Sequence, residues 1–178
     1  MASLRVGYDV RPALFNYAGI GRYVRELAVA LTQLPEHEGP ALDLFCSAWQ
    51  PGGSLPPGMQ ERRFRLRRSL IPQRAPGGVD VFHWTDYAYP RVANKPAVMT
   101  LHDASFVMDP KFHGWDSARL LDRVRNAVNH ADKVIVPSEP ARHDAELLGA
   151  REDQIVVVPH GVAPYFRPAD RKLPDSGY

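Results

Sequence analysis

Short continuous apolar runs that alternate with helix-patterned stretches constrain this chain more than any other feature. The runs are Leu4–Val10, Leu42–Cys46, Val79–His83, Ala97–Leu101, Lys133–Val136 and Ile155–Val158, with the arginine-rich Glu61–Arg68 as a further strand candidate. Unbroken Val, Ile, Phe and Leu runs, as opposed to strict alternation, are what strands covered on both faces require, and such strands are parallel ones. Between the runs, Ile20, Tyr23, Val24, Leu27, Leu31 and Leu34 recur at three- and four-residue steps, while Arg22, Arg25, Glu26 and Gln33 fall elsewhere. That is one amphipathic helix, and Pro35 ends it. A second helix is expected over Asp116–Ala131. A third opens at Ser138-Glu-Pro-Ala, where Ser caps, Pro140 sits harmlessly in the first turn and Gly149 closes. Strand after helix after strand predicts an α/β fold with a doubly wound, mostly parallel, Rossmann-like sheet.

At 178 residues, with 44% hydrophobic and 24% charged, the chain has material for one domain with a core. The net charge of +2 is too near balance for a protein that coats nucleic acid, so no nucleic-acid partner is expected. Cys46 is the one cysteine, which excludes an internal disulfide and a cysteine-built zinc site and points to a reducing, cytoplasmic setting. Inside a strand it reads as an inert buried thiol. No stretch approaches the roughly 20 apolar residues that span a bilayer, so any membrane contact is expected to be peripheral. From Tyr165 onward, prolines and scattered charges read as a linker.

In open α/β sheets ligands bind beyond the carboxyl ends of the strands. Asp9, His83 with Asp86, His102 with Asp103, Ser138, and His160 with Gly161 all fall there. Gly19-Ile-Gly21 precedes the first helix, and such a pair either lets a phosphate approach the positive helix end or simply makes a tight turn. Val24 stands where a dinucleotide fingerprint needs Gly or Ala, and no acidic residue ends the second strand, which disfavours nicotinamide and flavin enzymes. His102 has two readings: a strand-end imidazole satisfied by a neighbouring backbone group, or a polar contact to a sugar hydroxyl or carbonyl. His83, His102 and His160 lack the spacing of a metal triad, so no metal is expected. His130 is expected to interact with the end of its helix. The arginines of 62–68 read as a solvated edge strand or as an anion contact.

With these segments placed, the chain resembles the amino-terminal domain of glycosyltransferase family 4, enzymes of the GT-B architecture. The likeness is carried by Gly19-Ile-Gly-Arg-Tyr-Val-Arg-Glu-Leu, Val79-Asp-Val-Phe-His, Val98-Met-Thr-Leu-His-Asp, Ala131-Asp-Lys-Val-Ile-Val-Pro-Ser-Glu-Pro-Ala-Arg and Val156-Val-Val-Pro-His-Gly-Val-Ala-Pro-Tyr-Phe-Arg-Pro. It implies a retaining, metal-independent hexosyl transfer from a nucleotide diphosphate sugar to a glycan or lipid-linked acceptor. Thr100-Leu-His-Asp103 is most like mannosyltransferase members. It further implies donor phosphate contacts at Gly19, Gly21 and Arg22, with Tyr23 nearby, a reacting site at His102 and Asp103, and no cofactor. An acceptor pocket at Asp9, Tyr17, Trp84 and Tyr87 follows only from location. On this reading 1–168 is the acceptor-side domain and 169–178 a linker toward the chain's own carboxyl-terminal donor-binding domain, so the fragment alone is expected to be inactive. A non-catalytic binding module, or a nucleotide-sugar epimerase or hydrolase on the same frame, are the alternatives.

Overall fold

The computed structural model describes residues 4–15, 18–35, 37–47, 59, 65–69, 78–86, 95–108, 117–163 and 165–167. Its strands are β1 (Arg5–Asp9), β2 (Ala41–Ser47), β3 (Arg65–Ser69), β4 (Val81–Trp84), β5 (Ala97–Thr100), β6 (Lys133–Val136) and β7 (Ile155–Val157). They form one seven-stranded sheet in the order β3-β2-β1-β4-β5-β6-β7, and every pairing is parallel. The Rossmann-like α/β expectation therefore holds. β3 lies at one edge of the sheet, as its arginines suited it to do.

Five α-helices, α1 (Arg11–Phe15), α2 (Gly19–Gln33), α3 (Ser105–Met108), α4 (Ser117–His130) and α5 (Glu139–Leu147), and a 3-10 turn at Glu152–Gln154 complete the described elements. Because side chains alternate across a strand, each face of the sheet builds its own core. On one face Tyr8, Val10, Leu42, Leu44 and Cys46 pack with Val24 and Ala28 of α2. On the other, Phe45, Phe82, Trp84, Met99, Val134 and Val136 pack with Val124, Ala127 and Val128 of α4 and with Ala141 and Ala145 of α5. A Cβ on Gly7 would stand 2.6 Å from the ring of Phe82, so this position in β1 needs glycine for the second core to close.

Local signals behave as their chemistry dictates. The Ser138 hydroxyl accepts from the Ala141 N–H at the start of α5, Pro140 lies in the first turn, and Gly149 leaves the helix with φ 101°. Cys46 is a buried thiol outside any disulfide. His130 ends α4 with Nδ1 at 2.7 Å from the Asn126 carbonyl. Besides the single turn α3, which the sequence reading did not expect, two stretches depart from it. The stretch after β1 is not all loop: Arg11–Phe15 forms α1, whose five residues are too few to show a helical period, and the Asp9 carboxylate accepts from the Arg11 N–H at its start. Tyr165 and Phe166, read as linker, lie against Arg22, whose guanidinium stands 4.5 Å from the Phe166 ring.

Candidate functional site

Strand order reverses between β1 and β4, and the carboxyl edge around that point collects the polar residues. Thr85, fully buried after β4, ties three strands together. Its hydroxyl donates to the Asp9 carbonyl at 2.8 Å, and its own carbonyl lies 3.0 Å from His102 Nε2. A backbone group thus satisfies one ring nitrogen of His102, as the plainer of its two readings expected.

α2 crosses above this edge. Ala18 stands at its N-cap position and offers no side-chain hydrogen bond, so the first-turn N–H groups receive no oxygen from the cap. A Cβ on Gly19 would meet nothing within 4 Å, which leaves open space at the helix start. Tyr23, one turn on, is the hub of the site. Its hydroxyl lies 3.2 Å from Thr100 Oγ1, its ring meets His102 edge-on at 4.8 Å, and His160 lies 4.6 Å away on a tilted ring. Thr100 Oγ1 is also 2.8 Å from His83 Nε2, and the His83 ring meets Tyr8 edge-on at 5.4 Å.

The electrostatics follow from burial. His83 is buried almost completely and its pKa falls to about 4, first through lost solvation and then through His102. Burial also lowers His102, helped by His160; its hydrogen bond to Thr85 and the carboxylates of Asp103 and Asp86 pull the other way. The site is thus built of neutral imidazoles, hydroxyls and helix-start amides. His83, His102 and His160 do not make a metal-holding group, and among the described residues no group of three or more potential ligands does so.

The remaining candidates are placed as follows. Gly21 is buried within α2, one turn below Ala18. Arg22 is engaged by the Tyr165 hydroxyl, which in turn donates to Glu26 Oε1 at 3.0 Å. Asp103 is exposed and its carboxylate accepts from the Ser105 N–H and hydroxyl, shaping the turn into α3. Asp9 is 1% exposed and held by Arg11 through two side-chain bonds of 2.7 and 2.6 Å. Trp84 is likewise buried, 4.3 Å from Phe82, with the Arg11 guanidinium 5.8 Å from its ring. Arg11 thus contacts both. Tyr17 and Tyr87 lie outside the described residues. Thr85 and Thr100 were not singled out in the sequence, since nothing local distinguishes a strand-end threonine that bonds across strands.

Beside the hub, α2 and the segment after β7 enclose a groove of about 760 Å³, with Leu27, Ile135, Val158, Val162 and Phe166 among its lining and Gly19 and His160 at its rim.

The family model described as Glycosyltransferase Family 4 matches residues 17–165. A crystal structure of Anabaena Alr3699/HepE in complex with UDP is similar over 89% of this chain at 16% identity and a TM-score of 0.48. The chain spans 44% of that structure's length. No curated protein matches significantly.

Proposed function

The chain belongs to glycosyltransferase family 4, and from that premise we propose that it is the acceptor-side, amino-terminal half of a retaining GT-B hexosyltransferase. The donor is a nucleotide diphosphate sugar, with a mannosyl group the first candidate, and the acceptor is a glycan or lipid-linked glycan of polysaccharide assembly. The observation that carries this reading is the juxtaposition of the start of α2, open at Gly19, with His102, joined through Tyr23.

The chemistry runs as follows. The donor diphosphate lies at the first turn of α2, at Gly19 and Gly21, where amides and the helix dipole favour negative charge. As the bond from C1 to the leaving phosphate oxygen breaks, charge grows on that oxygen, so the same amides lower the barrier selectively. His102 hydrogen-bonds the sugar and orients it. The acceptor oxygen bonds to C1 on the face the diphosphate leaves, and its proton passes to a departing phosphate oxygen. This route needs no metal. Arg22 reaches the diphosphate once Tyr165 and Phe166 yield it, and Asp103 holds the loop that carries His102. On the acceptor side the reading assigns Asp9 and Trp84, both in contact with Arg11, together with Tyr17 and Tyr87. A carboxyl-terminal domain supplies the nucleotide subsite, so the 178 residues alone lack turnover. Work at the cytoplasmic face of a membrane fits a lipid-linked acceptor; among the described residues no helix is long and apolar enough to cross one.

Full-length protein incubated with a set of nucleotide sugars and glycan or lipid-linked acceptors, followed by mass spectrometry, tests the reading. Glycosylated acceptor with retained anomeric configuration is expected. Sugar release without transfer would overturn it in favour of a hydrolase, and binding without turnover in favour of a binding module.

A further inference from the structure

After β7 the chain turns back over the carboxyl ends of the strands as a strap. It is tied first where the Val158 N–H donates to the Val136 carbonyl at 2.8 Å, next where His160 lies 4.6 Å from Tyr23, and last on α2. That last tie is built on Arg22. The Arg22 N–H donates to the Ala18 carbonyl at 2.9 Å and closes the first turn of α2, so its side chain leaves the helix directly behind the amides assigned to the diphosphate. Its guanidinium donates to the Tyr165 hydroxyl, which donates in turn to Glu26 Oε1 at 3.0 Å, one helical turn along. The Phe166 and Tyr165 rings, 4.6 Å from each other, stand 4.5 and 5.7 Å from the guanidinium carbon. A turn holds the two rings there, with the Phe166 N–H donating to the Ala163 carbonyl at 2.9 Å.

Among the described residues lining the groove, Arg22 alone carries a fixed positive charge, and the strap occupies it. We infer that Tyr165 and Phe166 form an autoinhibitory clasp, which withholds Arg22 from the diphosphate subsite until an anion with several phosphate oxygens takes the guanidinium and loosens the strap. The inference rests on the reading of the α2 start as the phosphate site and adds its control. The balance of forces suits a clasp that opens. Tyr165 and Phe166 are 59% and 54% exposed, and ring stacking on an exposed cation is weak. A phenol offers the guanidinium one oxygen, whereas a phosphate accepts from two of its N–H groups at once and brings charge. The clasp therefore holds against water and yields to phosphate. Coupling is reciprocal: whatever the clasp subtracts from anion affinity, the bound anion subtracts from the hold on the strap.

Calorimetry of the full-length protein with inorganic pyrophosphate tests this without turnover. Tyr165→Phe keeps the ring and cuts the bridge to Glu26, and Phe166→Leu removes the nearer ring; both side chains lie at the surface, so neither change opens a core. The double variant should bind pyrophosphate about tenfold more tightly than the parent, its KM for a nucleotide sugar should fall by a similar factor, and Arg22→Gln should abolish the gain. Loss of a contact that merely braced the fold would leave binding unchanged or weaker. In the parent, hydrogen exchange along the strap should quicken when pyrophosphate is added, and in the double variant it should be fast from the start. Pyrophosphate affinity unchanged or lowered in the double variant would overturn the inference, as would a strap protected by pyrophosphate, or no pyrophosphate binding to either protein. If the double variant binds more tightly and no nucleotide sugar is turned over, the transferase reading fails and the clasp stands. If sugar is transferred and the variants match the parent, the clasp alone fails.

Discussion

The two ends of the strands solve opposite problems. At the amino end of the sheet the polar groups are charged: Arg5, its side chain 41% exposed, donates to the buried Asp43 at 2.9 Å, the Asp80 carboxylate accepts from the Arg5 N–H, and Asp132 accepts from the Ala97 N–H. At the carboxyl end the polar groups are mostly neutral and sunk into the fold: Thr85, Thr100 and His83 are buried, and Tyr23 and His102 partly so. Charges in water screen one another and contribute little. Neutral hydrogen-bonding groups shielded from water are costly to leave unmatched, and when a ligand is their missing partner they give it direction. One edge closes loops; the other carries the proposed site.

The sharpest way to break this contrast is acid. His83 titrates near 4 when folded and near 6.5 when unfolded, so the unfolded chain binds the proton first and stability drops as pH falls from about 6.5 to 4. The gap corresponds to roughly 3 kcal/mol. Asp9, whose carboxyl burial raises, binds its proton more readily folded than unfolded and offsets part of this at the acid end. Urea titrations at pH 7 and pH 4.5 should show the loss, and His83→Gln should flatten it. Next in size, His102→Ala in the full-length enzyme should lower turnover by about 10²-fold, since a sugar held loosely by even 1 Å loses that much. Its Tm should move by only a few degrees, because His102 is not in either core; unchanged transfer kinetics would remove it from the site.

Thr100→Val strips the shared hydroxyl from both His83 and Tyr23, and chemical denaturation should record a loss of about 1–3 kcal/mol. At the opposite edge, Asp43→Asn keeps an oxygen of the same shape to accept from Arg5, whose side chain is 41% exposed, and should cost less than about 1 kcal/mol. A larger cost there than at Thr100 would erase the distinction between the edges.

What could be read before folding follows the range of the interactions. Lys133–Val136 and the capped helix at Ser138 were plain, because their signals lie within a few residues. The positions of His102, His160 and the Gly19 turn at one edge followed from strand parity and the rule for α/β sheets. The connections among them did not. Tyr23 meets Thr100 across 77 residues, and Thr85 meets Asp9 across 76, so a sequence window contains no trace of either. The Asp9–Arg11 pair is the reverse case: Asp-Val-Arg is a local pattern, and it explains why an acid expected to face a ligand is turned inward. Tyr165 and Phe166 resembled linker because the cation they cover lies 143 and 144 positions earlier, at Arg22.

That the start of α2 and His102 serve one substrate is tested most directly by a crystal structure of the full-length protein with a nucleoside diphosphate hexose bound. Phosphate oxygens within hydrogen-bonding distance of the amides at Gly19 and Gly21, with a sugar hydroxyl hydrogen-bonded to His102, is the expected result. A diphosphate seated elsewhere, leaving both the helix start and the imidazole to solvent, would contradict it.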